Sequence, residues 1–357
     1  MLQKQTPHWL WSFAILPLYV GVQLLSQFPN WIETYYSRGF YLGWAALNRT
    51  LWGSLPFSIG DLGYALLAAY LFKKMVSYTR AVGGLKSSLL FIGRATALLY
   101  LIFNLSWGLN YYRQPLVQSM GLSIVAQDST ALFYLTQKLI YKTNSLHQEL
   151  SPTDSAAIKP PHAVKKTLSM AAAAFKTLGQ QYKVLNYEKA SVKKSLFAKP
   201  LSYMGYAGYL NPFSLEAQVN QEIPLYRLPL VATHEIGHQL GFASERDTNF
   251  IGYLAALKHS DPYFNYAATT LALSYCLRDL KLENAEKFER LMSQLRPGVL
   301  ENYRESNAFW EAHENPLSPY FESLFNIFLK INHQTAGVRS YGQVVQLLLA
   351  YHSENPL

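Results

Sequence analysis

The chain has very little cysteine: Cys276 is the only one among 357 residues. A single thiol excludes an internal disulfide framework and a thiolate metal cluster, and it is expected to pack as a small buried hydrophobe. Charge is also scarce, with 15% of residues charged against 50% hydrophobic and a mean hydropathy of zero. Acidic residues are the scarcer sign, 22 against 31 Lys and Arg, which leaves a net charge of +9. Such an excess can serve nucleic acid, but no run of five basic residues and no nucleic-acid motif is present, so that partner is excluded. The basic residues instead suit membrane topology and attraction to anionic headgroups. Internal repeats and low-complexity tracts are missing too, which leaves room for one sizeable domain plus an accessory region.

The apolar surplus lies at the front. Trp9 to Phe28 is 20 consecutive uncharged residues, enough for a helix to cross a bilayer core of about 30 Å, with Pro17 as a kink. A cleaved signal peptide is the competing reading, but no small-x-small cleavage site follows. Leu51 to Phe72, interrupted by Asp61, and Ser87 to Tyr112, interrupted by Arg94, complete three expected spans. Asp61 and Arg94 are expected at interfaces or paired with each other. Phe40 to Leu47 is too short to span and is expected to lie in the interface. Lys73, Lys74, Arg80 and Lys86 place the loop after the second span in the cytoplasm. Residues 1–115 thus read as a membrane region, and 116–357 as a domain on the outer side of a bacterial cytoplasmic membrane. The bilayer is the implied partner.

The stretch Val231 to Asn249 carries the chemistry. It contains His234-Glu235-x-x-His238, and residues four apart on a helix share a face. Two imidazoles can then reach one ion at about 2.0–2.1 Å each, and Glu235 can take a proton from bound water. Gly241 stands where a helix C-terminus wants a left-handed residue, so the chain should turn there. Ser244-Glu-Arg-Asp247 reads as the cap of a second helix, running to about Lys258. Glu245 falls in its first turn and is the nearest third ligand, with Asp247 and His259 as weaker alternatives; Asn249 lies on the same face and can support the ligating carboxylate. An exposed acidic residue favoured by the helix dipole is the bland reading of Glu245.

On these residues the chain resembles the zincin superfamily of zinc metallopeptidases. The short turn after His238 is similar to the metzincins, with Ser244 where their third histidine would stand. Glu245 with Asn249 resembles the Glu-x-x-Ala-Asn element of other zincins, Thr248 replacing the alanine. Over nearly its full length the chain also resembles an uncharacterised family of bacterial membrane proteins carrying a domain of unknown function. The shared elements are Phe57-Ser-Ile-Gly-Asp61, His234 to Asn249 and Gly337-Val-Arg-Ser-Tyr-Gly342. The zincin resemblance implies Zn2+ as cofactor and a peptide or protein as substrate.

The remaining sequence reads as mainly α. Ser129 to Leu150, Ala163 to Tyr182, Phe264 to Leu280, Asn284 to Leu295, Val299 to His313, Tyr320 to Asn332 and Ser340 to His352 have helical spacing. Val192 to Asn220, rich in Gly, Pro and Tyr, reads as a small sheet, with Leu215 to Asn220 as the strand above the metal helix that would pair with extended substrate. The expected fold is therefore a set of transmembrane helices followed by a zincin-like α+β domain with a largely helical C-terminal half. Tyr203, Tyr206, Tyr209, Tyr253 and Tyr341, with Arg304 and Arg339, are candidates for substrate contact or oxyanion support. His259, His313, His333 and His352 read as solvated or capping residues. The expected function is a membrane-anchored zinc peptidase, and the alternative is a tethered interaction or envelope-assembly protein with a structural or vestigial metal site. An intramembrane protease is disfavoured, because Leu228 to Ser244 is too short to span and runs into Glu245, Arg246 and Asp247.

Overall fold

The computed structural model describes residues 10–80, 84–124, 128–332, 334 and 343–357. Its architecture is mainly helical with one small sheet. Among the described residues one helix, Gly84–Ser106, is long and apolar enough to cross a membrane. The expected first span breaks into a 3-10 turn, Leu10–Phe13, and an 11-residue helix, Ile15–Leu25. At 1.5 Å per residue that helix covers about 16 Å, roughly half a bilayer core. Pro17 lies in its first turn, where the missing N–H costs nothing, and so makes no kink. Trp9 falls outside the described residues.

The second expected span is displaced along the chain. Leu51 ends up in the Tyr41–Trp52 helix, and Ser58 starts a new helix, Ile59–Thr79, by accepting a hydrogen bond from the Asp61 amide at 2.8 Å. A local cap has overridden an apolar run. Lys73 and Lys74 lie inside this helix rather than beyond it. The segment expected in the interface is also different. A π-helix, Ile32–Phe40, runs into Tyr41–Trp52, and Tyr41 and Ala45 are fully buried in a core shared with Trp107, Leu215 and Ala243.

Beyond Arg113 a larger core gathers around the antiparallel-capable pair Ser129–Leu150 and Pro262–Glu283, which pack along each other. The reading of one helix over Ala163 to Tyr182 is corrected to two, Val164–Ala171 and Ala174–Gln181. Between them Ala173 and Phe175 donate to carbonyls three residues back, tightening the alanine-rich stretch into a turn. Further helices are Ala285–Met292, Pro297–Glu311, Ser318–Ile331 and Val344–Glu354. Cys276 is fully buried, and burial pushes its thiol far up.

Three short strands form the sheet: β1 (Val192–Lys194), β2 (Gly208–Leu210) and β3 (Ala217–Val219), in the order β1-β3-β2. β1 is parallel to β3 and β2 antiparallel to it. The sequence placed the substrate-side strand at Leu215 to Asn220, but that segment holds the central strand, whose residues are buried. The two edge strands are β1 and β2.

The front helices and the sheet are joined through the Phe57–Asp61 element. Asp61 is fully buried. It accepts hydrogen bonds from the Tyr209 hydroxyl, from the Ser195 hydroxyl at 2.9 Å and from the Leu196 amide at 2.6 Å. The expected interfacial or Arg94-paired role is corrected, since Arg94 Nε donates instead to the Leu90 carbonyl. The Gly60 amide donates to Glu216 at 2.6 Å, and Glu216 also holds Lys193 at 2.5 Å.

Candidate metal centre

The motif residues lie on a helix, Leu228–Gln239, started by Pro229 and stopped by Gly241 at φ +82°. The Gly241 amide donates to the His238 carbonyl at 2.9 Å and the Phe242 amide to the Gly237 carbonyl at 3.3 Å, closing the helix end. Ser244 then caps the next helix, Glu245–Leu257. The two helices cross closely because neither has bulk at the contact. A Cβ on Gly252 would stand 3.0 Å from the His234 backbone, and one on Gly237 would stand 3.2 Å from Thr248. The crossing carries Glu245 over the histidines.

Glu245 lies 3.5 Å from His234 Nε2 and 3.6 Å from His238 Nε2. The ligand atoms of His234, His238 and Glu245 all lie within 4.8 Å of one another. Tetrahedral ligands at about 2.1 Å from one ion would stand about 3.4 Å apart; the two carboxylate–imidazole spacings are close to that but run to different oxygens, Oε2 facing His234 and Oε1 facing His238. His238 Nδ1 meets the Phe242 carbonyl at 2.8 Å, which leaves Nε2 as the ligating nitrogen. Asn249 lines the cavity beside the trio, and its side chain opposes the lowering of the His234 imidazole. Asp247 is otherwise engaged: it accepts from the Leu116 amide at 3.1 Å and pairs with Arg246 at 2.9 Å. His259 stacks on Phe264 at 4.1 Å. Neither alternative ligand belongs to the trio.

Burial lowers the His234 imidazole to about 4, against a raising pull from Glu245. Burial would lower His238 as well, but the Glu245 carboxylate outweighs it and holds that ring at about 9. Glu245 thus asks for a positive charge within the trio, which a proton or a divalent cation supplies. Burial pushes Glu235 up to about 8, with Glu245 adding to the rise and His238 opposing it. Glu235 Oε2 is buried with no hydrogen-bond partner, as is Asn249 Nδ2. Two unpartnered polar atoms beside three convergent donors are what a site for an ion and its ligands presents.

These groups form one wall of a cavity of about 1560 Å³. Of the candidate phenols, Tyr203, Tyr206 and Tyr209 line it. Tyr209 is committed to Asp61, whereas burial and then the Glu245 charge raise Tyr206. Tyr253 is corrected: it is buried outside the cavity lining, bonded to His352 Nε2 at 2.7 Å. Arg304 pairs with Glu301 on the surface. Tyr341, Arg339 and His333 lie outside the described residues. His313, read as a capping residue, does bond the Phe309 carbonyl but also lines the cavity.

Several participants carry no sequence signal. A Cβ at Gly208 would come within 2.6 Å of Glu235 Oε1, so β2 passes directly over the carboxylate only because residue 208 is glycine. Trp107 Nε1 donates to the His238 carbonyl at 3.2 Å. Tyr41 donates to the Gln239 carbonyl at 2.9 Å. Arg113 donates to the carbonyls of Leu240 at 3.3 Å and Gly241 at 3.0 Å, while its other nitrogens hold Glu33 at 2.8 and 2.9 Å.

Residues 36–349 match a family described as a protein of unknown function, DUF3810. No curated protein and no solved structure matches the chain.

Proposed function

The chain belongs to the DUF3810 family, and we infer that it is a membrane-anchored, zinc-dependent peptidase of zincin type. The convergence of His234, His238 and Glu245, with the unpartnered Glu235 oxygen beside them, carries this reading. Bound by those three residues, zinc would polarise a carbonyl and lower the pKa of a water to about 7. Glu235 accepts the proton of the attacking water and returns it to the leaving amine, a role suited to a carboxyl held near neutrality. His238 is locked by the Phe242 carbonyl, which keeps its Nε2 turned toward Glu245. β2, half-buried and paired on one side only, offers its other edge above Glu235 to an extended peptide as a further strand. Tyr206 is the phenol best placed to donate to a developing oxyanion, since Tyr209 already donates to Asp61. The Gly84–Ser106 helix supplies the anchor, with the site on the outer side of a bacterial membrane.

The test is Glu235→Gln in the full chain. Zinc bound per chain should stay near that of the parent while peptide hydrolysis falls by about 10²–10⁴. Equal hydrolysis by the variant removes Glu235 from the mechanism. Absence of bound zinc in the parent sinks the metallopeptidase reading and favours the tethered, non-catalytic one.

A further inference from the structure

The cavity above the trio is larger than the roughly 300–1,000 Å³ of a usual small-molecule site, at about 1560 Å³. Its lining mixes two chemistries. Arg227, His313, Glu314 and Glu322 are polar. The apolar share includes Leu99, Tyr100 and Phe103 from the Gly84–Ser106 helix, and Phe325, Phe328 and Ile331 from Ser318–Ile331. Phe328 touches the first of these groups directly, with its ring centroid 6.2 Å from that of Phe103 and 5.7 Å from that of Tyr111.

The apolar walls extend well along the membrane-length helix. Thr96 also lines the cavity, and ten residues at 1.5 Å each separate it from Ser106, so the lining reaches about 15 Å down the helix, half of a bilayer core. At the mouth the apolar surface continues outward: Phe328 is 39% and Ile331 54% exposed, next to Leu324 and Ile327 on the same helix. A solvent-filled cleft of this composition beside a membrane-length helix would be a liability in water; facing lipid it is a doorway.

We propose that the substrate of this site is a polypeptide held in the bilayer by an apolar segment, entering sideways from the lipid between the Gly84–Ser106 and Ser318–Ile331 helices. The apolar segment occupies the cleft, and the adjoining polar stretch rises to lie along β2 within reach of Glu235. The proposal rests on the peptidase reading for its chemistry and on the cleft alone for its route.

The two can be tested separately in the full chain, reconstituted into vesicles of phosphatidylethanolamine and phosphatidylglycerol. The probe is a peptide with a 20-residue leucine-rich anchor bearing a photoreactive leucine, and the Glu235→Gln protein is used to trap it uncleaved. Mass-spectrometric mapping should place the label on Leu99, Tyr100, Phe103, Phe325 and Phe328, and a hundredfold excess of the same peptide without its anchor should not displace it. Labelling confined to Leu98, Ile102 and Leu105, exposed residues of the same helix that do not line the cleft, overturns the route. The parent protein should cleave the anchored peptide with at least tenfold higher kcat/KM than the unanchored one. Equal cleavage of both overturns the proposal and leaves the peptidase intact. A labelled cleft with neither peptide cleaved removes the peptidase and leaves the route.

Discussion

The two halves of this chain solve opposite solvent problems with similar side chains. In the front half Leu85 is 77% exposed, Phe72 73% and Leu66 63%, all on long helices that turn their apolar faces outward. In the rear half Phe250, Phe264 and Tyr263 are fully buried, and the helices turn inward around one core, Ser318–Ile331 excepted. A mean hydropathy of zero is the average of these two regimes and describes neither. The difference shows where the polar groups must work. In the front half they point to the rear: Asp61 to the sheet, and Trp107, Tyr41 and Arg113 to the motif helix. Outward-facing apolar helices cannot be held by burial in water, so buried polar contacts set their register against the rest.

The comparison breaks first at Arg113. Its side chain and that of Glu33 are 5% and 6% exposed, and Arg113→Met would leave the buried carboxylate only the more distant, half-exposed Arg38 at 3.9 Å. A loss of about 3–5 kcal/mol is expected in denaturant unfolding of the detergent-solubilised protein. An unchanged midpoint would show that Arg113 does not help to hold the halves together. Asp61→Ala strips the acceptor from the Tyr209 and Ser195 hydroxyls and the Leu196 amide, with an expected cost of about 1–3 kcal/mol and faster amide exchange in β2. Exchange unchanged in β2 would show that the sheet does not lean on the front half.

Gly208→Ala sharpens the comparison from the other side, because it disturbs the site without touching the front half. The new methyl would crowd Glu235 Oε1, so hydrolysis should fall about tenfold, near 1.4 kcal/mol of barrier, with zinc content unchanged. Full activity in this variant would mean that β2 stands clear of the reacting carboxylate. The smallest effect is a pH dependence confined to the rear half. Buried His147 contacts the Ala156 carbonyl at 2.9 Å and the Arg296 Nε at 3.1 Å, and burial, then Arg296, lowers its pKa. Its folded-state pKa lies below the ordinary 6.5, so the unfolded chain binds the proton more readily. That stability is fully present above about pH 6.5 and is lost as pH falls through the lowered value. Unfolding midpoints taken between pH 7.5 and pH 5 should fall, and His147→Gln should flatten part of that slope.

The trio could be read from the sequence because the spacing and turn that bring it together are written locally. Helical spacing puts His234 and His238 on one face, Gly241 supplies the only backbone that turns there without strain, and Ser244 fixes the first turn that carries Glu245. What was not legible depends on contacts more than a hundred residues apart. Nothing near Asp61 signals that a strand tyrosine 148 positions later will claim it. The outward helices were misplaced for a related reason. Hydropathy registers how apolar a run is, whereas Ser58 and the break at Ala14 decide where helices begin. The substrate-side strand was placed on the central segment because three-residue strands are too short for alternation to tell edge from centre.

Four successive carbonyls at the end of the motif helix, those of residues 238 to 241, are each met by a donor from before residue 114. The front helices are therefore part of what shapes the motif helix, not an appendage to it. A cut at the Gln114–Pro115 joint that let the rear half diffuse away would take the front-half donor from each of those oxygens and slacken the turn that delivers Glu245. On the proposed peptidase reading, a shed fragment would therefore leave its activity behind.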